Sequence, residues 1–367
     1  MKEESTEQPP VTVIMPVRNE EAYIERSLGA VLGQSYGLEH LQVLVVDGQS
    51  DDRTRELAES MGRKSGADLE VLDNPGRTAP CAMNVGLRRA RGEVIVRVDG
   101  HCEIGEHYVA HAARRLLAGD ADGVGGPLET LGETSTARAI AAAMGSRFGV
   151  GGVAFRTSAE GAPDREVDTV AFPAYRRDVI ARAGAFDEEL RRNQDDEYNY
   201  RLRKQGARLL LAGDMPARYY SRGTYRSLAR QYFQYGVYKV RVLQKHPRQM
   251  RPRQFVPATF VLALLAAAVA WPWLGPPPLL AVLGAYAIAN VCAAALTARA
   301  GDGGGGARHP SSRFWSVGFW GLFVRLPPAF ALLHFGYGLG FLVGLVRFAG
   351  RWGDTDGRVP SLGWGSP

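Results

Sequence analysis

The sequence predicts an α/β domain with a parallel, doubly wound sheet, followed by an all-α membrane region. Short β-branched, apolar runs that each end in a polar loop, with helix-like segments between them, carry the first half. A stretch of 44 residues without a charged side chain, 255–298, carries the second.

The expected strands are Val11–Met15, Leu41–Val46 and Val94–Val98, and the helices between them cover roughly 20–34, 52–65 and 80–91. In such a sheet, ligands bind beyond the carboxyl ends of the strands. The polar residues there are Pro16-Val-Arg-Asn-Glu20, Asp47-Gly-Gln-Ser-Asp-Asp-Arg-Thr54 and Asp99-Gly-His101. No Gly-x-Gly-x-x-Gly turn follows the first strand, and no Walker-type Gly-Lys-Ser/Thr occurs, which disfavours dinucleotide and P-loop nucleotide binding.

At about 20 residues per crossing, the uncharged stretch accommodates two membrane helices, roughly 256–274 and 279–298. Pro272 and Pro276-Pro-Pro278 mark the turn between them. The segment Arg299–Arg313 reads as a flexible polar loop, placed inside by Arg299, Arg308 and Arg313. A third apolar stretch, Leu326–Val346, follows the aromatic segment Phe314–Val324. A single crossing there puts Arg347, Arg351 and Arg358 outside, against the positive-inside rule; a hairpin over 314–346 keeps them inside but carries Arg325. Three and four crossings both remain open.

Ahead of the apolar region, residues 214–253 hold ten basic side chains and one acidic one, Asp214. Arg218, Arg222, Arg226 and Arg230 recur every fourth residue, so they share a helix face. With Tyr232, Phe233, Tyr235 and Tyr238 nearby, the segment reads as an interfacial helix on an anionic leaflet, and a nucleic-acid partner is set aside. Cys81, Cys102 and Cys292 show no pairing or zinc spacing. The acidic, polar N-terminus lacks an apolar h-region, so the first domain is expected in the cytoplasm. The expected organisation is a disordered N-terminus (1–10), a catalytic α/β domain (11–215), a basic amphipathic connector (216–254), a membrane domain (255–350) and a polar tail (351–367).

Over residues 10–245 the chain resembles a family 2, inverting glycosyltransferase of the GT-A (Rossmann-like) fold. Pro16-Val-Arg-Asn-Glu20 is similar to that family's opening loop, and Val46-Asp-Gly-Gln-Ser-Asp-Asp-Arg-Thr54 to its Val-Asp-Asp-Gly-Ser-x-Asp-x-Thr motif. Asn74-Pro-Gly76, Ala82-Met-Asn-Val-Gly86 and Ala90-Arg-Gly92 resemble the segment leading to the metal strand. Phe172-Pro-Ala-Tyr-Arg176, Gly184-Ala-Phe-Asp187 and Arg230-Gln-Tyr-Phe233 look closer to the succinoglycan-type glucosyltransferase subgroup with C-terminal membrane helices.

The resemblance implies nucleotide-sugar contacts from Pro16, Arg18, Glu20, Asp47, Asn84 and Asp99, with Asp47 on the base. Asp99 stands at the family's Asp-x-Asp position, where a divalent cation, Mn2+ or Mg2+, neutralises the leaving diphosphate. His101 replaces the second carboxylate, serving as metal ligand or hydrogen-bond donor to the diphosphate. Asn193-Gln-Asp-Asp-Glu197 resembles the Glu-Asp-x-Glu segment, which aligns Asp195 with the catalytic base and leaves Asp196 as the alternative one register away. Asp187 positions the acceptor loop or caps a helix. Arg222 and Gln231 contact the diphosphate or acceptor, or serve structure alone. The family's processive members carry Gln-x-x-Arg-Trp, absent after Gln231, which favours single-sugar transfer. The implied reaction moves one hexose from a nucleotide sugar, UDP-glucose by resemblance, to a lipid-linked or membrane-associated saccharide in exopolysaccharide biosynthesis at the cytoplasmic membrane. The rivals are a processive synthase and a catalytically degenerate membrane scaffold.

Overall fold

The computed structural model describes residues 8–221, 223–301 and 317–364. The expected disordered N-terminus lies mostly outside the described residues, as do Arg222, most of the polar loop 299–313 and the last three residues of the tail.

The expected alternation is present: β1 (Val11–Val17), α1 (Ile24–Leu32), β2 (Leu41–Asp47), α2 (Thr54–Ser65), β3 (Asp68–Asp73), α3 (Ala79–Arg89) and β4 (Val94–Arg97). Next come β5 (Cys102–Ile104), α4 (Tyr108–Leu117), β6 (Gly123–Gly125), β7 (Leu128–Leu131), α5 (Ser135–Gly145), α6 (Arg147–Val150) and α7 (Ala154–Thr157). After these follow β8 (Arg165–Glu166), β9 (Ala174–Arg176), α8 (Arg177–Ala183), α9 (Gln194–Lys204), β10 (Leu209–Leu211) and β11 (Ala217–Tyr220). The remaining helices are α10 (Tyr225–Lys245), α11 (Val256–Val269), α12 (Trp271–Leu274), α13 (Pro277–Gly301), α14 (Val317–Phe323) and α15 (Leu326–Arg347).

The chain forms two compact units. The first comprises Met1–Glu129, Ser158–Tyr219 and Gly357–Pro367; the second comprises Thr130–Thr157 and Tyr220–Asp356.

The first unit is built on an eight-stranded sheet of order β3-β2-β1-β4-β9-β6-β10-β8. Strands β3, β2, β1 and β4 run parallel, and β9 is antiparallel to both β4 and β6. Every residue of β2 is buried, as a parallel strand covered on both faces must be. The strand order reverses between β1 and β4, so the carboxyl ends of those two strands flank the switch point where α/β sheets bind ligands. Ile14, Leu44, Ile95, Tyr175, Phe186 and Tyr198 belong to one core beneath that edge. The tail returns to the same unit: Leu362 and Trp364 pack on this core, and Arg177 stacks on the Trp364 ring at 3.9 Å.

In the second unit, α10 and α15 lie side by side and run in the same direction. A Cβ built at Gly340 would stand 2.1 Å from the Phe233 carbonyl oxygen, and one at Gly344 would stand 2.7 Å from that of Val237. Glycines spaced by four thus let the two backbones touch. Tyr225 donates to the Arg325 carbonyl at one end (2.8 Å), and the Gln244 amide donates to the Phe348 carbonyl at the other (2.7 Å). Helices Pro277–Ala300 and Gly318–Arg347 are long and apolar enough to cross a membrane, and Val256–Val269 is a shorter apolar helix.

Candidate functional site

Two loops of the first unit are laced together at the carboxyl ends of β1 and β2. Asn19, with a left-handed φ of 55°, presents its amide to Ser50 Oγ (2.9 Å), and its own Oδ1 accepts from the Asp51 amide (2.9 Å). The Glu20 amide donates to Thr54 Oγ1 (2.7 Å) and the Glu21 amide to Asp52 (3.1 Å). Against the desolvation of its partial burial, hydrogen bonds from Thr54 and Glu21 hold the Asp52 carboxyl below the usual range. Asp47 is 3% exposed and accepts from both the amide and the hydroxyl of Ser50. Pro16, half-buried, belongs to the end of β1 rather than to the loop, and Arg18 just beyond it is exposed with its stem against Gly48.

Strand β4 delivers the next group. Its last residue, Arg97, is the one charged side chain in the run Val94–Val98, and it is 5% exposed. Arg97 Nε donates to Asp99 Oδ1 (2.8 Å), and its terminal nitrogen pairs with Asp195 on the first turn of α9. Burial works against the Arg97 charge, but the two carboxylates outweigh it and raise the guanidinium above its ordinary range. Desolvation raises the Asp195 carboxyl above its usual range; Asp99 and Asp196 add to the rise, and Arg97 opposes it. The Asp195 side chain keeps 41% exposure and so remains open to solvent.

The start of α9 suits these carboxylates. Asn193 enters with φ 61°, Asp195, Asp196 and Glu197 occupy the first turn, and Arg201, Arg203 and Lys204 the last, so the charges match the helix dipole. Glu197 is consumed by Arg201 at 2.9 Å, whereas Asp196 is partly exposed.

His101 turns its Nδ1 to Glu20 Oε1 at 2.8 Å, and its ring meets Tyr219 edge-on at 4.9 Å. A neutral imidazole donating Nδ1–H to a carboxylate keeps Nε2 as a lone pair, the usual preparation of a metal-ligating histidine. Among the described residues no three His, Cys, Asp or Glu side chains converge to hold a metal ion. Asp99 and His101 would therefore hold a cation only together with oxygens from a bound diphosphate or water. The buried Cys102 thiol is pushed well above its ordinary range by desolvation, with Asp99 adding to it, as expected of an inert cysteine.

Asn84 lies elsewhere. It is fully buried on α3, donating to the Phe186 carbonyl (2.9 Å) and Glu188 (3.0 Å) and accepting from the Phe186 amide (2.8 Å). Its amide holds the turn 184–188 from beneath and has no part in the cleft surface. Asp187 in that turn is 2% exposed and accepts from the amides of Glu189 (3.0 Å) and Arg358 (2.8 Å), tying the turn to the tail. Gln231 belongs to the second unit, where its amide donates to Tyr235 (3.3 Å) and its Oε1 is buried without a partner.

The structure thus joins Asp99 and Asp195 through Arg97, a residue not anticipated from the sequence, and separately pairs His101 with Glu20. The signal was present as a lone arginine inside an otherwise apolar strand, where an unpaired charge is untenable.

Residues 12–182 match the family description "Glycosyl transferase family 2". The chain is 30% identical over 236 residues to the succinoglycan biosynthesis protein ExoA of Rhizobium meliloti, covering 64% of this chain and 70% of that one. It is 26% identical to a dolichyl N-acetyl-alpha-D-glucosaminyl phosphate 3-beta-D-2,3-diacetamido-2,3-dideoxy-beta-D-glucuronosyltransferase of Methanococcus voltae, covering 64% and 74%. Among solved structures it is similar to the mannosyltransferase PcManGT of Pyrobaculum calidifontis, described in complex with GDP-Man and Mn2+. The TM-score is 0.54 at 21% identity, over 92% of this chain and 88% of that one. That likeness bears out the GT-A type of fold.

Proposed function

From the premise that this chain belongs to glycosyl transferase family 2, and is a glycosyltransferase of glycan biosynthesis, we propose single-hexose transfer from UDP-glucose to a lipid-linked saccharide. The observation that carries the reading is the Arg97 bridge, which brings Asp99 and Asp195 to one place at the sheet's ligand-binding edge.

In this reading Asp195 is the base. Its raised carboxyl accepts the proton of the acceptor hydroxyl more readily than an ordinary aspartate, while partial exposure leaves it reachable by substrate. The hydroxyl oxygen forms the new bond to the anomeric carbon as the bond to the diphosphate oxygen breaks on the opposite face, inverting the configuration. An α-linked donor gives a β-linked product. Asp196, one residue on, competes for this role. The Asp47–Ser50 cluster and the laced loop from Pro16 through Arg18 to Glu20 would form the nucleotide pocket. A divalent cation, Mn2+ or Mg2+, would be held by Asp99 and His101 and would neutralise the diphosphate charge. The imidazole donor tilts the preference toward Mn2+.

The name of the Methanococcus relative, which places its acceptor on a dolichyl phosphate, supports a lipid-linked acceptor here. The apolar C-terminal helices support anchorage in the cytoplasmic membrane, with the catalytic unit on the cytoplasmic side. Full-length protein with labelled UDP-glucose, Mn2+ and a polyprenyl-diphosphate-linked saccharide tests the proposal. The expected product is one sugar longer than the acceptor. A ladder of products identifies a processive synthase, and no transfer from any UDP- or GDP-sugar identifies a scaffold.

A further inference from the structure

The two long apolar helices are treated differently by the packing of the second unit. Only 11% of the apolar window in Pro277–Ala300 is covered by protein, against 39% of that in Gly318–Arg347, the segment that contains α15. What covers α15 is chiefly α10, which runs in the same direction against Gly336, Gly340 and Gly344 with Tyr225–Arg325 and Gln244–Phe348 bonds at its two ends, while Tyr286 and Asn290 of α13 bond to His334 and the Pro327 carbonyl nearer the start of α15. Helices α10 and α15 therefore share one depth. Helix α10 carries Arg226, Arg230, Lys239, Arg241 and Lys245 and no acidic residue. Arg241 is fully buried, bonded to Gln244 at 2.6 Å and to Asp354 at 3.4 Å. Lys239, Arg241 and Lys245 are buried against protein, but Arg226 and Arg230 are exposed, which keeps α10 out of a hydrocarbon core, and α15 is held beside it.

The tail gives an independent constraint. Beyond α15 the chain rejoins the catalytic unit: the Arg358 amide donates to Asp187, and the Glu188 amide donates to the Arg358 carbonyl at 2.9 Å. Both flanks of the membrane region thus lie on one side of the bilayer, which demands an even number of crossings.

We propose that the bilayer is crossed only by the hairpin of α11–α12 and α13, while α15 stays on the catalytic side as an in-plane helix beside α10. The inference rests on the membrane reading above. Residues 256–274 span about 28 Å as helix and residues 277–301 about 37 Å, enough for the ~30 Å hydrocarbon layer. Trp271 and Trp273, 47% and 77% exposed, stand at the hairpin tip, where interfacial aromatics belong. Leu339, Val343 and Val346 form the open apolar stripe by which α15 dips into the near interface. Arg299, Arg325, Arg347, Arg351 and Arg358 then all lie on the catalytic side, and the conflict with the positive-inside rule disappears.

Single-cysteine variants test this in the full-length chain, with Cys81 and Cys292 replaced by serine and sugar transfer retained. Trp273→Cys, Val324→Cys, Val359→Cys and, as side marker, Arg63→Cys are labelled with a membrane-impermeant maleimide in vesicles of known orientation. Labelling of Trp273→Cys from the side opposite Arg63→Cys, with Val324→Cys and Val359→Cys on the same side as the marker, is the expected result. Val324→Cys on the far side would show a second hairpin, Val359→Cys on the far side an odd number of crossings, and Trp273→Cys on the near side no crossing; each overturns the proposal. Release of the protein by alkaline carbonate would instead refute the membrane reading itself.

Discussion

Arg97 and Asp195 form an ion pair that ties the last residue of a central parallel strand to the first turn of a helix almost 100 positions later in the chain. The same guanidinium holds Asp99, so the proposed base and the proposed diphosphate-side carboxylate share one cation. Arg97 is a positioning residue in this scheme, and its charge opposes the rise that desolvation imposes on the Asp195 carboxyl.

A base must be ionised to act, so turnover is expected to fall as pH drops through the Asp195 pKa, which lies above the ordinary carboxylate range. Arg97 is the group that lowers it. Arg97→Gln should therefore move the acidic limb of the kcat/KM profile to higher pH, and Arg97→Lys should move it less. Nucleotide affinity, followed by calorimetry, serves as the check that the pocket persists. An acidic limb that stays in place in Arg97→Gln would show that the arginine is merely structural.

Asp195→Asn should lower kcat by about 10²–10⁴-fold, the usual worth of a general base, while nucleotide-sugar binding survives. Asp196→Asn should cost less than about 10-fold, because its charge only adds to the crowding at Asp195. Single-turnover rates on the two variants decide the register. The reverse order would assign the base to Asp196.

Glu20 acts in this reading through His101, fixing the tautomer that leaves Nε2 free. Mn2+ bound to the full-length protein should be weak without nucleotide and should tighten with UDP, since Asp99 is already paired with Arg97 and no three-ligand cluster exists among the described residues. Glu20→Gln should weaken Mn2+ binding in the presence of UDP by about 10–100-fold. Paramagnetic resonance of free Mn2+ measures both. Tight Mn2+ binding without nucleotide would contradict the proposed ligand set.

What could be read from the sequence followed from strength of pattern. The runs behind β1, β2 and β4 are long and apolar because buried parallel strands must be, and the uncharged stretch 255–298 resolved into α11 to α13 close to the expected bounds. β3, half-exposed as Asp-Leu-Glu-Val-Leu-Asp, and three-residue strands such as β6 and β10 offer too few residues for a period to show. Asp99, His101 and Asp195 could be singled out because each sits in a short motif whose members stay together in sequence. The junction of Asp99 and Asp195 at Arg97 was not legible, because nothing local says which distant carboxylate a buried arginine will meet. Asn84 was read toward the nucleotide, yet its amide is spent on a turn a hundred residues away. The glycines of α15 were equally silent until α10 was seen against them.

Those glycines permit a last prediction. At Gly340 any side chain meets the Phe233 backbone, whose carbonyl oxygen would stand 2.1 Å from a Cβ, and a backbone cannot rotate aside as a side chain can. Gly340→Leu must push α10 and α15 apart along their length, which places it at or beyond the upper end of the ~1–3 kcal/mol typical of overpacking. The melting temperature of the detergent-solubilised chain should fall by on the order of 10 °C. Gly284 on α13 has open space around it, with nothing within 4 Å of a Cβ. Gly284→Ala should leave the melting temperature unchanged or raise it slightly, since alanine favours helix over glycine by up to about 1 kcal/mol. Equal losses at both positions would mean that glycine serves these helices through flexibility, and the close α10–α15 contact would lose its support.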